Sequence, residues 1–251
     1  MLGSLILGLS IEPLMETSLE ALRDSIPFLH PILDNQNFCT KMLNAVGPLL
    51  ESNIAQEAYG VLYEFVTYCY HLLGPYIQSI VTLTVKSIQQ RSDITMHAIE
   101  LWDSLGVEYL RRAEEAATRV NDQQVNLQNY MQAYQESILP EVMGCMLILT
   151  PADLDMPGMR ESACKALGTF MECGNLEMVE KVTEGVSKVI QSNSPGERQA
   201  SALLFACLCQ YKDDNYIRQY FVKGFDFLYV LIRDEHEIVQ KHTLSGLATL
   251  S

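Results

Sequence analysis

The sequence predicts an all-α fold, a right-handed α-α superhelix built from stacked helix pairs of the HEAT or armadillo type. Turn-like segments recur at Pro13, Asn53 and Asp93, and again at Ser194 and Asp234, at intervals of about 40 residues. This interval is typical of HEAT and armadillo arrays. We find no run of alternating polar and apolar residues of the kind that predicts strands.

The helix after each turn carries small residues where neighbouring helices must approach closely, with larger apolar residues three and four positions on. These matching stretches begin at Ser18, Glu57, His97, Ser162, Arg198 and Lys241. A second helix precedes each turn, and its predicted ranges are Asn37–Leu50, Gly74–Gln89, Leu127–Leu149, Leu176–Gln191 and Tyr216–Ile232. Ser, Asn and Asp at the junctions are suitable N-caps for the helix that follows.

We therefore predict a single solenoid segment over residues 1–251, with five to six helix pairs. The pairs fall at about 1–33, 34–73, 74–117, 126–173, 174–212 and 213–251, with an insertion at about 111–128 and a loop at 150–157. Both ends of the chain lie in apolar helical patterns, whereas terminal repeats of a solenoid need polar caps. We expect the chain to be a monomeric segment of a longer solenoid.

Charge and composition indicate which classes of partner this chain can bind. A net charge of −14 and a pI near 4.7 argue against binding to nucleic acids or anionic membranes and favour basic partners. No apolar run reaches the roughly 18 residues of a membrane span. The seven cysteines are odd in number and form no C-x-x-C pair, which indicates reduced, buried thiols in a cytosolic or nuclear protein.

Sequence motifs for catalysis are absent. There is no phosphate-binding G-x-x-x-x-G-K-[ST], no G-x-G-x-x-G, no G-x-S-x-G and no H-E-x-x-H. The five histidines are scattered without the spacing of metal ligands. We expect a binding scaffold, with no enzymatic activity, no cofactor and no metal.

The order of the segments resembles the importin β family of nuclear transport receptors. Residues 98–102 read A-I-E-L-W and are similar to the family's G-I-E-F-W segment. Next come an acidic helix (108–117), a polar linker and a helix that ends at Leu139–Met143. This last helix is similar to the Y-L-V-P-I-L helix that precedes the family's acidic loop. The resemblance covers nearly the whole chain, at about the fifth to tenth repeats, and rests on the order and lengths of segments.

The resemblance implies a slot that accepts the Phe ring of Phe-Gly nucleoporin repeats. Its residues here are Leu2, Gly3 and Ile6 on one helix, and Phe38, Lys41 and Met42 on the next. An apolar slot with a flexible Met wall suits a Phe ring. In the alternative interpretation, Leu2, Ile6 and Met42 are only core between repeats.

The resemblance also implies contacts with the Ran GTPase and with importin α or a basic cargo. The counterpart of the family's acidic loop holds two carboxylates, Asp153 and Asp155. A second predicted site is a concave cargo face, whose acidic residues are Glu100, Asp103, Glu161 and Glu197.

These features predict an import receptor of the cytoplasm, the nucleus and the nuclear pore that works by reversible binding. One alternative is another karyopherin that takes cargo without importin α. The other is a HEAT scaffold outside transport, resembling a phosphatase regulatory subunit or a complex-assembly platform.

Overall fold

The computed structural model describes residues 2–90, 92–118, 127–147, 157–210 and 226–248. Within these ranges all regular secondary structure is helical and no strand occurs, so the predicted all-α fold is confirmed. The chain divides into two compact units, Met1–Tyr130 and Met131–Ser251. No helix in the described part is both long and apolar enough to cross a membrane.

The first unit is made of two layers of helices. Its helices are α1 (Leu2–Gly8), α2 (Met15–Leu33), α3 (Gln36–Val46), α4 (Ala55–Cys69), α5 (Ile77–Gln90) and α6 (Asp93–Thr118). Helices α2, α4 and α6 pack side by side, and we call them the B layer. Helices α1, α3 and α5 pack on that layer, and we call them the A layer.

Local sequence sets the ends of α3. The Asn35 side chain accepts a hydrogen bond from the backbone N–H of Asn37 at 3.1 Å, as an N-cap does. At the other end, Gly47 and Pro48 begin a 3₁₀ turn, Gly47–Glu51, because proline supplies no backbone N–H to continue the α-helix. The predicted helix over Asn37–Leu50 is therefore an α-helix completed by a tighter turn.

Buried positions of the B layer repeat along the chain. The apolar side chains of α2 that lie in the core are Leu19, Leu22, Ile26, Leu29 and Leu33. The residues one repeat later, about 40 positions on, are buried as well: Tyr59, Leu62, Val66, Cys69 and Leu73. Successive B-layer helices therefore present the same faces to their neighbours.

The single tryptophan joins α6 to α5 through a buried hydrogen bond. Trp102 is fully buried, and its Nε1–H donates to the hydroxyl of Thr84 at 3.0 Å. The Thr84 hydroxyl donates in turn to the carbonyl of Ile80 at 2.8 Å, so this polar chain inside the core is hydrogen-bonded.

The second unit repeats the paired arrangement. Its helices are α8 (Gln135–Leu147), α9 (Pro157–Cys173), α10 (Leu176–Val189), α11 (Pro195–Gln210), α12 (226–231) and α13 (Glu237–Ala248), and a one-turn helix α7 (Tyr130–Ala133) precedes them. Helix α11 packs against α9, α10 and α13. The side chain of Arg198 in α11 pairs with Asp234 in the turn before α13.

Candidate binding surfaces

The predicted Phe slot lies on two helices in contact, α1 and α3 of the A layer. Leu2 and Met42 are buried, Ile6 is half-buried, and Phe38 and Lys41 are exposed, Phe38 by 38 %. Phe38 and Lys41 give the predicted slot an accessible rim. The burial of Leu2 and Met42 fits both interpretations, a floor beneath a bound ring and core between repeats.

Space beside this rim is open. Gly3 is exposed, and a Cβ atom built there would meet no heavy atom within 4 Å. In the part of the chain that the structure describes, no side-chain hydrogen bond joins α1 to α3.

The next groove of the A layer, between α3 and α5, is bridged by polar bonds. The Thr40 hydroxyl lies 2.6 Å from the phenol oxygen of Tyr76, immediately before α5. At the other end of the groove, Lys86 Nζ lies 2.7 Å from a carboxylate oxygen of Glu51. A ring would have to break such bonds to enter here.

Glu100 is a half-buried acid of the predicted cargo face on α6. Its side chain is 40 % exposed, and the Tyr63 hydroxyl lies 3.4 Å from its carboxylate while donating to the His97 carbonyl at 2.8 Å. The ring nitrogen Nδ1 of His97 lies 3.6 Å from the same carboxylate. Burial raises the pKa of the Tyr63 phenol, and the Glu100 charge raises it further, so Tyr63 stays protonated and donates to the His97 carbonyl, with Glu100 as a more distant second acceptor.

We correct the predicted face at Asp103, which is only 4 % exposed. Because α6 packs against both α4 and α5, its buried arc is wide enough to include this position. Glu108 is buried for the same reason, and its carboxylate binds Arg111 and Arg112 on the following turn. These carboxylates are held inside the fold and are not available to a partner.

The remaining predicted acids lie elsewhere in the chain. Glu197, on α11 of the second unit, is half-buried and accepts a hydrogen bond from Ser192. Glu161 belongs to α9, but its side chain is outside the described set. Asp153 and Asp155 lie outside the described residues.

Three further carboxylates of the B layer were not predicted. Glu20 and Asp24 are exposed on α2, and Glu64 is half-buried on α4. Asp24 and Glu64 occupy the same position in successive repeats. Glu20 and Glu100 share another position, in repeats that are two apart. The signal was available in the sequence, because the repeat period aligns these four acids. We call Glu20, Asp24, Glu64 and Glu100 the acidic face of the first unit.

Four of the five cysteines whose side chains the structure describes are buried, and Cys164 is half-buried. No group of three His, Cys, Asp or Glu side chains in the described part of the chain is arranged to hold a metal ion. Cys39 and Cys69 are free and buried, and burial raises the pKa of the Cys69 thiol to about 12. A thiol with so high a pKa is protonated at neutral pH and a poor nucleophile.

Comparison with known proteins finds solved structures with a similar architecture. No protein-family model matches the sequence, and no curated protein matches it. Among solved structures, yeast importin β (Kap95p) superposes with a TM-score of 0.88 over 98 % of this chain, at 19 % identity. The chain is similar in fold to importin β. A crystal structure of importin β obtained in ammonium sulfate gives a TM-score of 0.87 over 99 % of the chain, at 16 % identity.

A third similar structure is the complex of Kap95 with Nup1, with a TM-score of 0.84 over 94 % of the chain and 19 % identity. The chain spans 28–30 % of the length of these three proteins. A designed armadillo repeat protein in complex with the peptide (KR)4 also matches, at a TM-score of 0.55 and 14 % identity, over 100 % of this chain and 99 % of that one. These similarities confirm the predicted solenoid fold.

Proposed function

We propose that the chain is a segment of a nuclear import receptor that binds Phe-Gly repeats of nucleoporins reversibly and without chemistry. The observation that carries this proposal is the similarity to importin β over nearly the whole chain, including the importin bound to Nup1. Ran is a further proposed partner, since one of the similar structures describes Kap95p bound to RanGDP. The proposed location is the cytoplasm, the nucleus and the nuclear pore.

The α1–α3 slot suits a weak, repeated contact. Entry of one Phe ring between Ile6 and Phe38, above the buried floor, removes apolar surface worth about 2 kcal/mol from water. A peptide that inserts one or two rings would therefore bind in roughly the micromolar to millimolar range. Such contacts dissociate quickly, as passage through a pore requires.

A basic segment, from importin α or from a cargo, is the second proposed ligand. The acidic face presents four carboxylates at matching repeat positions on three neighbouring helices, α2, α4 and α6. The designed armadillo protein of similar fold binds a peptide of alternating Lys and Arg, which supports a basic ligand for such a layer. Lys and Arg would pair with these carboxylates by charge-assisted hydrogen bonds.

The test is a titration of the chain with a peptide carrying Phe-x-Phe-Gly repeats. We expect saturable binding, and we expect Ile6→Asp to abolish it, because a carboxylate at the rim would oppose burial of the ring. The matched control is Leu7→Asp, since Leu7 is the next residue of α1 and is already 65 % exposed. Circular dichroism would establish that both variants are folded.

Two outcomes would reject the import-receptor proposal. One is a folded wild-type chain that does not bind the peptide, which would favour a HEAT scaffold outside transport. The other is equal binding by wild type, Ile6→Asp and Leu7→Asp, which would show that the peptide binds without using this slot. A basic helix derived from importin α, titrated in parallel, would separate a receptor that uses importin α from one that takes cargo directly.

A further inference from the structure

Lys41 differs from the other basic residues of the first unit. Among the residues of that unit that the structure describes, every other Lys or Arg forms an ion pair: Arg23 with Asp24, Lys86 with Glu51, and Arg111 and Arg112 with Glu108. Lys41 is exposed and forms none there. The chain holds 31 acidic and 17 basic residues, so partners for a lysine are plentiful in the sequence.

The described part of the fold gives Lys41 no electrostatic role. It lies before the last turn of α3, a turn that holds no basic residue, so it does not stabilise the negative end of the helix dipole. The acids in the turns on either side of α3, Asp34 and Glu51, already pair with His71 and Lys86. The charge of Lys41 is therefore available to a ligand.

The A layer around Lys41 contains no carboxylate on its helices. Helices α1, α3 and α5 carry two charged residues in all, Lys41 and Lys86, and both are positive. The acidic face belongs to the B layer, against which the A layer packs. Two packed helix layers separate the outer sides of α3 and of the B layer by roughly 20 Å, more than two Debye lengths at physiological salt. The field at Lys41 is thus set locally and is positive.

Lys41 also lies beside the rim of the predicted slot. Phe38 and Lys41 are three positions apart on α3 and both are exposed, so they share one side of the helix with Cβ atoms about 5–6 Å apart. An extended peptide advances about 3.3–3.6 Å per residue. A carboxylate within about two residues of a ring that contacts Phe38 would therefore reach the Lys41 ammonium.

We infer that Lys41 makes the α1–α3 slot selective for ligands that carry an acidic residue within about two positions of the inserted Phe ring. The inference rests on the proposed function, since it concerns the ligand of the same slot. The ammonium and the carboxylate would form a charge-assisted hydrogen bond at the exposed rim. An exposed pair of this kind changes affinity by about two- to fivefold. The slot would then prefer acidic sequences, whereas the acidic face takes basic ones.

The experiment compares three peptides that share one Phe-x-Phe-Gly core and carry Asp, Asn or Lys immediately before and after it. At about 0.15 M NaCl we expect the wild-type chain to bind the Asp peptide about two- to fivefold more tightly than the Asn peptide, and the Lys peptide least tightly. Lys41→Gln should remove the preference for Asp, and Lys41→Glu should reverse the order of Asp and Lys. Circular dichroism would establish that both variants are folded.

Lys86→Glu is the matched control. It changes the net charge by the same amount as Lys41→Glu and lies in the same layer, on α5, with 55 % of its side chain exposed. Because Lys86 lies outside the slot, this variant should keep the wild-type order of the three peptides. Loss of the order in Lys86→Glu would show that net charge sets the preference, and the inference would fail.

Other results would also overturn the inference. Equal affinity of the wild-type chain for the Asp and Asn peptides, or a preference for Asp that survives in Lys41→Glu, would reject it and leave the proposed function in place. Tightest binding of the Lys peptide by wild type would reject it as well, since the overall negative charge would then govern the slot. Binding of none of the three peptides would reject the proposed function and this inference together.

Discussion

The pair formed by Arg198 and Asp234 ties two neighbouring turns of the second unit together. Both side chains are nearly buried, with 12 % and 5 % exposed. Arg198 also donates to the Ser192 carbonyl at 2.9 Å, and Asp234 accepts the backbone N–H of His236 at 2.9 Å. Burial alone would raise the pKa of Asp234, but the hydrogen bonds from Arg198 and His236 outweigh it and hold that pKa below its usual range.

We expect Asp234→Asn to lower the free energy of unfolding by about 2–3 kcal/mol at neutral pH, because Arg198 loses its buried partner. A carboxylate with a depressed pKa in the folded state stabilises the fold above its unfolded pKa of about 3.9 and loses that contribution as the pH falls through the folded value. Urea unfolding of wild type and variant should therefore give a constant difference between pH 7 and about pH 4 and a smaller one below that.

The control for this prediction is Glu235→Gln, the adjacent acid, whose side chain is 79 % exposed. An exposed ion pair contributes roughly 0–1 kcal/mol, so this variant should unfold almost as wild type does. A difference for Asp234→Asn that grows on acidification would show that the carboxylate is not stabilised by its partners in the folded state.

At the level of the helix, the signals that predict an individual helix are local. Apolar periodicity, the Asn35 cap and the Gly47-Pro48 terminus each depend on a few consecutive residues. Asp103 was wrongly assigned to an exposed face, because its burial is decided by two other helices that pack on α6.

The close approach of α1 and α2 gives a prediction at this level. Gly8 ends α1, and a Cβ atom built there would lie 2.2 Å from the Ser18 hydroxyl oxygen and 3.2 Å from its Cβ. We expect Gly8→Ala to destabilise the fold by about 1–3 kcal/mol through overpacking, although alanine is the better helix former. Thermal unfolding followed by circular dichroism would measure the change.

Gly3→Ala is the matched control in the same helix, because a Cβ atom there meets nothing within 4 Å. It should leave stability unchanged or raise it by up to about 1 kcal/mol, as alanine does in an open helical position. Adding Ser18→Ala to Gly8→Ala should recover part of the loss. Equal effects of Gly3→Ala and Gly8→Ala would mean that the contact between α1 and α2 is not tight.

Over the whole molecule, the two proposed kinds of ligand depend on different surface properties, charge and apolar contact. The chain holds 31 acidic and 17 basic residues, and its net charge of −14 attracts cations over long distances. The α1–α3 slot is different, because its floor and rim are mainly apolar and it acts only at contact. Ionic strength should therefore separate the two proposed kinds of ligand.

We expect raising NaCl from about 0.1 M to 1 M to weaken binding of a Lys- and Arg-rich peptide by at least about tenfold, because the Debye length falls from about 10 Å to about 3 Å. Binding of the Phe-Gly peptide should change by less than about twofold, because burial of an apolar ring is not screened by salt. Isothermal titration calorimetry of each peptide at both salt concentrations would give the two ratios of dissociation constants.

The double variant Glu64→Gln with Glu100→Gln is the control. It should reduce the salt dependence for the basic peptide and leave the Phe-Gly peptide unaffected, since these residues belong to the acidic face and not to the slot. Equal salt dependence for both peptides would show that long-range charge governs both interactions, and the assignment of the two ligands to two surfaces would then fail.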